Sequence, residues 1–253
     1  MIVDVNVSLS RWPFRRIRGD ETEELLGLLR RRGVDQAWAG SFDALFHKDV
    51  AGVNARLARE CRERGGGLLL PFGTVNPKMP DWEDDLRRCV EDHRMPGIRL
   101  HPNYHGYALD DPDFSRLLHL AAQRRLLVQI PIKMEDERTM HPLVRVPLVD
   151  AAPLVDLVPK IPGLQLILLN VPKDMVVKLA GSGASFDIAM LEGLEGVARL
   201  AEKVGEGRVL FGSHAPFYIW ESARLKVTEA GLPPSVERRV LRENALQLLE
   251  GRR

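Results

Sequence analysis

The sequence predicts an α/β protein, a single (β/α)8 TIM barrel with an extra C-terminal helix, and three observations carry that expectation. Eight short β-rich runs alternate with segments of helical periodicity from one end of the chain to the other. The length of 253 residues is about what one such barrel requires. No GxGxxG follows an early strand, which counts against the main rival, a doubly wound open sheet. No tract rich in Pro, Gly or Ser divides the chain, so residues 1–253 read as one domain.

The strands are expected at 2–7, 34–39, 68–75, 97–100, 126–130, 164–169, 185–190 and 208–211. Asp20 reads as the N-cap of the first helix with Glu23 reaching back. Leu25, Leu26, Leu28 and Leu29 form its apolar face, and Gly33 stops it. The second helix shows Val50, Val53, Leu57 and Cys61 on one side. Asp111 followed by Pro112 opens another, with Phe114, Leu117, Leu118 and Ala121 inward. Further helices are expected over 81–93, 147–159, 173–180, 193–204 and 219–230, and a ninth over 235–249.

Composition narrows the function classes. Lys and Arg number 36 against 35 Asp and Glu, a net charge of +1, so there is no broad basic field for nucleic acid. No apolar run approaches the roughly 18 residues that span a bilayer, and no membrane partner is expected. The start of the chain lacks the basic-then-apolar order of a signal peptide, and Cys61 and Cys89 are its only cysteines. Those features fit a cytoplasmic protein without a disulfide framework or a cysteine-based zinc site. The expected partner is a small-molecule substrate, and homo-oligomerisation stays open.

In a barrel of this type the working residues stand at the C-terminal ends of the strands. Strand alternation puts Asp4, Asn6 and Ser8 on one face of the first strand and Arg99 with His101 on one face of the fourth. Gln129, Asn170 and His214 end the fifth, sixth and eighth strands, and Asp187 lies within the seventh. Polar residues here are costly in a barrel interior normally filled by Val, Ile and Leu. His101, His105, His141 and His214 all fall on the mouth side, whereas His47, His93 and His119 read as surface residues. The loop after the fourth strand adds Asn103, and the charged loop after the fifth adds Glu135. Arg11, beside Trp12 and Phe14, could grip an anionic substrate. Structural roles remain open for several of these. Asp4 and Arg99 could form a buried ion pair, Asn170 could cross-link a turn, and the charged loop could be a solvated one.

The motifs together resemble a known family. Asp4-Val5-Asn6-Val7-Ser8 resembles the Asp-x-His-x-His start of amidohydrolase-related TIM barrels, and Gly97–Pro102 is similar to their fourth-strand motif. Gly212-Ser213-His214-Ala215-Pro216-Phe217 resembles their Gly-Ser-Asp-x-Pro-Phe motif, and Glu243-Asn244-Ala245 their Glu-Asn-Ala helix. The resemblance implies a metal-dependent hydrolase, with decarboxylases and hydratases as variants. The family's metal ligands fall on Asn6, Ser8, Gln129, Asn170 and His214, of which only His214 is a strong zinc ligand. The usual metal centre is therefore expected to be degenerate, with no cofactor, or with a relocated Zn, Mn or Fe held by His101, His105, His214 and a carboxylate. The leading expectation is a hydrolase acting on a carboxylate-bearing substrate. In it His214 moves a proton, with His101 and Arg99 as its catalytic partners, and Asn6, Ser8, Arg11, Asn103, His105, Gln129, Glu135 and Asn170 bind substrate. The alternatives are a lyase of decarboxylase type and a non-catalytic binder of small anions.

Overall fold

The computed structural model describes residues 1–193 and 195–251. Eight parallel strands pair in chain order: β1 (Ile2–Leu9), β2 (Val34–Ser41), β3 (Leu69–Gly73), β4 (Gly97–Arg99), β5 (Leu127–Pro131), β6 (Gln165–Leu169), β7 (Ser185–Asp187) and β8 (Val209–Leu210). Backbone bonds from the Val5 N–H to Phe211 and from the Ser8 N–H to Ala215, both 2.9 Å, join β8 back to β1 and close the barrel. The helices that wrap it are α1 (Thr22–Arg31), α2 (Val50–Arg64), α3 (Trp82–Glu91), a single turn α4 (Pro102–His105), α5 (Pro112–Gln123), a second single turn α6 (Leu154–Leu157), α7 (Lys173–Leu179), α8 (Gly196–Val204) and α9 (Trp220–Thr228). The C-terminal helix runs through α10 (Pro234–Arg238), a π turn (Arg239–Glu243) and α11 (Asn244–Glu250).

The core has three parts. The largest lies between sheet and helices, where Leu25, Leu26 and Leu29 of α1 and Phe114, Leu117 and Leu118 of α5 face the strands as their periodicity requires. A second fills the barrel, with Val3, Val5, Trp38, Phe72, Leu127, Ile167, Leu169 and Leu210 floored by Ala245 of α11. Buried Trp12, Phe42, Leu45 and Met134 form the third, a roof over the mouth.

Several elements depart from expectation. Helix α1 starts at Thr22 after Glu21, because the Asp20 carboxylate instead takes hydrogen bonds from the Arg16 guanidinium and the Ile17 N–H. The expected helix over 147–159 contracts to α6 and a 3-10 turn, Val158–Lys160, so that 132–153 is a long connection. Pro142, Pro147 and Pro153 interrupt that stretch, and each removes a backbone donor. Within the expected helix over 193–204, Leu194 lies outside the described residues, as do residues 252–253 of the domain.

Candidate active site

Strand β1 carries an extra residue between Asp4 and Val7 relative to β2. That bulge breaks the alternation, so Asp4 and Asn6 do not share surroundings as the sequence suggested. The Asp4 carboxylate accepts from the Asn6 N–H at 3.1 Å, the Ser213 N–H at 3.0 Å and the Trp220 indole at 3.0 Å. Among the described residues no ion pair joins it to Arg99. Burial pushes its pKa up to about 6.

Arg99 is buried in the barrel with each of its five N–H groups engaged. Nε donates to Gln129 Oε1 at 2.8 Å, Nη1 to the Val7 carbonyl at 2.9 Å and Ser8 Oγ at 3.4 Å, and Nη2 to the carbonyls of Val5 at 3.3 Å and Trp38 at 3.1 Å. Burial lowers its pKa to about 10, opposed by the charges of Asp187 and Asp4, so the guanidinium stays charged at neutral pH. Gln129 is held in turn, its amide donating to the Val5 carbonyl at 2.8 Å.

The opposite half of the axis is a chain of amides. The Asn6 side-chain N–H groups donate to Asn170 Oδ1 at 2.8 Å and to Asp187 Oδ2 at 2.7 Å. Asp187 also accepts from the Asn170 backbone N–H at 2.8 Å, and burial raises its pKa to about 7. Asn170 donates to the Lys133 carbonyl at 2.8 Å and toward His214 Nδ1 at 3.4 Å. His214 Nε2 lies 2.7 Å from the Met134 carbonyl. A carbonyl only accepts, so Nε2 carries the proton and the Nδ1 lone pair faces Asn170. Burial brings the His214 pKa down to about 4, so the ring is neutral with both nitrogens committed to protein.

A different arrangement lies at β4 and α4. His101 Nδ1, His105 Nδ1 and Tyr107 Oη are buried and lack a hydrogen-bond partner, as does Trp12 Nε1, whose ring packs among Phe14, Phe42, Phe46 and Phe217. An unpaired buried polar atom costs about 1–3 kcal/mol, so several on one loop and its neighbour demand a reason. The rings follow one another, His101 to His105 at 6.0 Å and His105 to Tyr107 at 6.4 Å between centroids. His105 Nε2 stands 2.8 Å from the Ala44 carbonyl, so it is the protonated nitrogen and Nδ1 offers a free lone pair. Burial lowers the pKa of His105, and burial with the charges of His105 and Arg99 lowers that of His101 well below the usual value. Both rings are poised as neutral acceptors.

The remaining expected residues stand apart. Arg11 is exposed and pairs with Glu21. Asn103 donates to the Pro147 carbonyl at 2.9 Å, tying α4 to the connection after β5. Glu135 is buried and takes Arg15 Nη1 at 2.7 Å, whose guanidinium lies over the Phe217 ring at 5.1 Å. His141 stacks on Phe14 at 5.3 Å. Strand alternation gives no signal for Arg15 or Tyr107, nor a polar role for Trp12. Only the aromatic and basic run at 11–15 signalled two of them. A solvent-open cleft of about 1040 Å³ lies on the β5–β8 side, lined by Lys133, Asp136, Lys173, Glu192, Tyr218 and Lys226 among others. It includes none of the residues expected to bind substrate or do chemistry.

A closed eight-stranded parallel barrel with polar side chains gathered at the C-terminal ends of the strands defines a TIM-barrel protein. A family model described as amidohydrolase matches residues 18–251. The chain belongs to that amidohydrolase family. Among solved structures it is similar to 2,6-dihydroxybenzoate decarboxylase from Rhizobium, with 14% identity, 98% of this chain and 99% of that one covered, and a TM-score of 0.74. It is also similar to 5-carboxyvanillate decarboxylase from Sphingomonas paucimobilis, with 14% identity, 98% of each chain covered and a TM-score of 0.77. A third is a dihydroxybenzoic acid decarboxylase from Polaromonas, solved with bound manganese and the inhibitor 2-nitroresorcinol. It is 11% identical, with 100% of this chain and 97% of that one covered, and a TM-score of 0.75. At such identities these likenesses show the fold. No curated protein matches the chain.

The family implies a divalent metal, and the side chains at the corresponding positions do not fit one. Asn6, Asn170, Gln129 and Ser8 offer only neutral oxygens, and those of Asn170, Gln129 and Ser8 already accept from Asn6 or Arg99. Among the described residues no three His, Cys, Asp or Glu side chains form a metal-holding group. That also bears on the relocated set of His101, His105, His214 and a carboxylate.

Proposed function

We propose that this chain is a metal-independent enzyme that takes a small carboxylate-bearing substrate at the β1–β4 side of the barrel mouth and acts on it as a lyase of decarboxylase type. The observation that carries this reading is the set of unpartnered polar atoms at His101, His105, Tyr107 and Trp12. They comprise a lone pair on an oriented imidazole and an indole donor, which a substrate with one hydroxyl and one acceptor oxygen would satisfy. His105 Nδ1 takes the substrate hydroxyl proton, the Ala44 carbonyl holding the ring in the required tautomer, and the imidazolium returns that proton to the carbon bearing the carboxylate. The carbon–carboxylate bond then breaks, its electron pair passes to the oxyanion as carbon dioxide leaves, and a solvent proton restores the hydroxyl. Proton transfer falls on His105 rather than His214, whose nitrogens are both engaged.

Lyase chemistry is favoured over hydrolysis by the surroundings. Trp12 meets Phe217 edge-on at 5.0 Å and Phe42 at 5.4 Å, so the mouth is roofed by aromatic rings that exclude water. Loss of carbon dioxide gains from a dry site, whereas hydrolysis needs an activated water, which the residues at the family's metal positions do not supply. The decarboxylases of similar fold support the same direction. A second reading, a binder of small anions without turnover, is favoured by the fully satisfied network on the axis. The test is a panel of hydroxylated carboxylates assayed for carbon dioxide release, beside esters, lactones and amides assayed for hydrolysis. Carbon dioxide release that falls in His105→Ala supports the proposal. Hydrolysis alone would restore the hydrolase reading, and saturable binding without turnover would establish the binder.

A further inference from the structure

We infer that Arg99 is the resident cation of this barrel, its guanidinium taking up two of the positions that the resemblance assigns to metal ligands and tying the strands together as a metal ion would. Its guanidinium contacts Ser8 Oγ and Gln129 Oε1, two of the five positions that correspond to metal ligands. The other three, Asn6, Asn170 and His214, are joined to one another. Each of these five side chains is thus drawn into the network, and the bonds from Arg99 bind β1, β2, β4 and β5 across the axis.

The backbone is cut to fit this arrangement. A Cβ at Gly40 of β2 would stand 2.8 Å from Arg99 Nη1 and 3.0 Å from its Cδ, so only glycine lets the guanidinium pass. A Cβ at Gly212 would stand 2.5 Å from Asp187 Oδ2 and 3.1 Å from the Asn6 Cβ, so the amide half of the network needs a glycine as well. A fixed positive charge beside the ligand positions repels a divalent ion directly. Loss of the histidines is therefore only half of the change. Restoring them while Arg99 remains leaves metal binding weak, because the guanidinium charge still opposes the ion. The inference shares the metal-free premise of the functional reading, but its test uses no substrate and so stands or falls separately.

The experiment titrates Co²⁺ and follows its visible absorption, with three proteins: wild type, the variant Asn6→His/Ser8→His/Gln129→His/Asn170→His, and that variant with Arg99→Met added. Wild type is expected to show no Co²⁺ bands and the same unfolding midpoint in EDTA and in Co²⁺. The variant with Arg99→Met is expected to bind Co²⁺ about 10²-fold or more tightly than the one retaining Arg99. Stoichiometric Co²⁺ in wild type, or equal binding by the two variants, would overturn the inference. Should the variants not fold, ¹⁵N NMR of wild type decides the matter. An Arg99 Nε–H protected from solvent exchange in EDTA supports the inference, and exchange at the rate of a surface arginine refutes it.

Discussion

His105 differs from the other histidines of the mouth in one respect, a fixed N–H on one side of the ring and a free lone pair on the other. Replacing it by alanine should lower turnover by about 10²-fold, the usual scale for a general base. Because burial lowers its pKa, the ring stays neutral to more acidic pH than a free imidazole. The acid limb of kcat/KM should therefore lie below pH 6.5, the ordinary histidine value. A limb at or above that value would assign proton transfer elsewhere. For His214, whose nitrogens bridge Met134 and Asn170, alanine should cost about 1–3 kcal/mol of stability, read by urea denaturation. Arg99→Met should cost more, about 3–5 kcal/mol, since it removes a buried charge's bonds to the carbonyls of Val7 and Trp38 and to Gln129 Oε1. Gly40→Ala should cost about 1–3 kcal/mol by overpacking against the same guanidinium. If Gly40→Ala were neutral, Arg99 would not sit as described.

At the scale of elements, the connection over 132–153 is the segment most able to move. Its residues Leu143 and Arg138 are exposed, and it lacks regular structure before α6. Limited trypsin digestion should cut first at Arg138 or Arg145, and a bound carboxylate ligand should slow the cut. First cleavage within α1 or α2 would contradict this. The thiols report the reverse condition. Burial pushes Cys61 and Cys89 up to about 12, so a thiol reagent should label them only at the rate of unfolding. The alternation of strands and helices was legible in the sequence because each of β2 to β8 follows a periodic apolar segment and a turn signal. The amides and imidazoles at the strand ends were legible too, since polar residues there violate the packing rule of the barrel. What alternation could not show was the bulge in β1, which moves Asp4 to Trp220 while Asn6 meets Asn170 and Asp187. Tautomers and engaged donors were equally out of reach, because they depend on carbonyls such as those of Ala44 and Met134, which carry no mark in the sequence.

For the molecule as a whole, two halves of the mouth have separated in purpose. The axis is a satisfied network around Arg99, Asn6, Asn170 and Asp187, rigid because each donor has its acceptor. The β1–β4 side, with His101, His105, Tyr107 and Trp12, retains the unspent polar atoms. On the proposed reading the barrel carries a guanidinium brace where the family implies a metal and does its chemistry on imidazole. The most direct test is the rate of carbon dioxide release from the best substrate of the panel, measured after exhaustive EDTA treatment and again with added Mn²⁺ or Zn²⁺. The expected result is a rate unchanged by either treatment and lowered about 10²-fold by His105→Ala. A rate abolished by EDTA and restored by Mn²⁺ or Zn²⁺ would contradict the account.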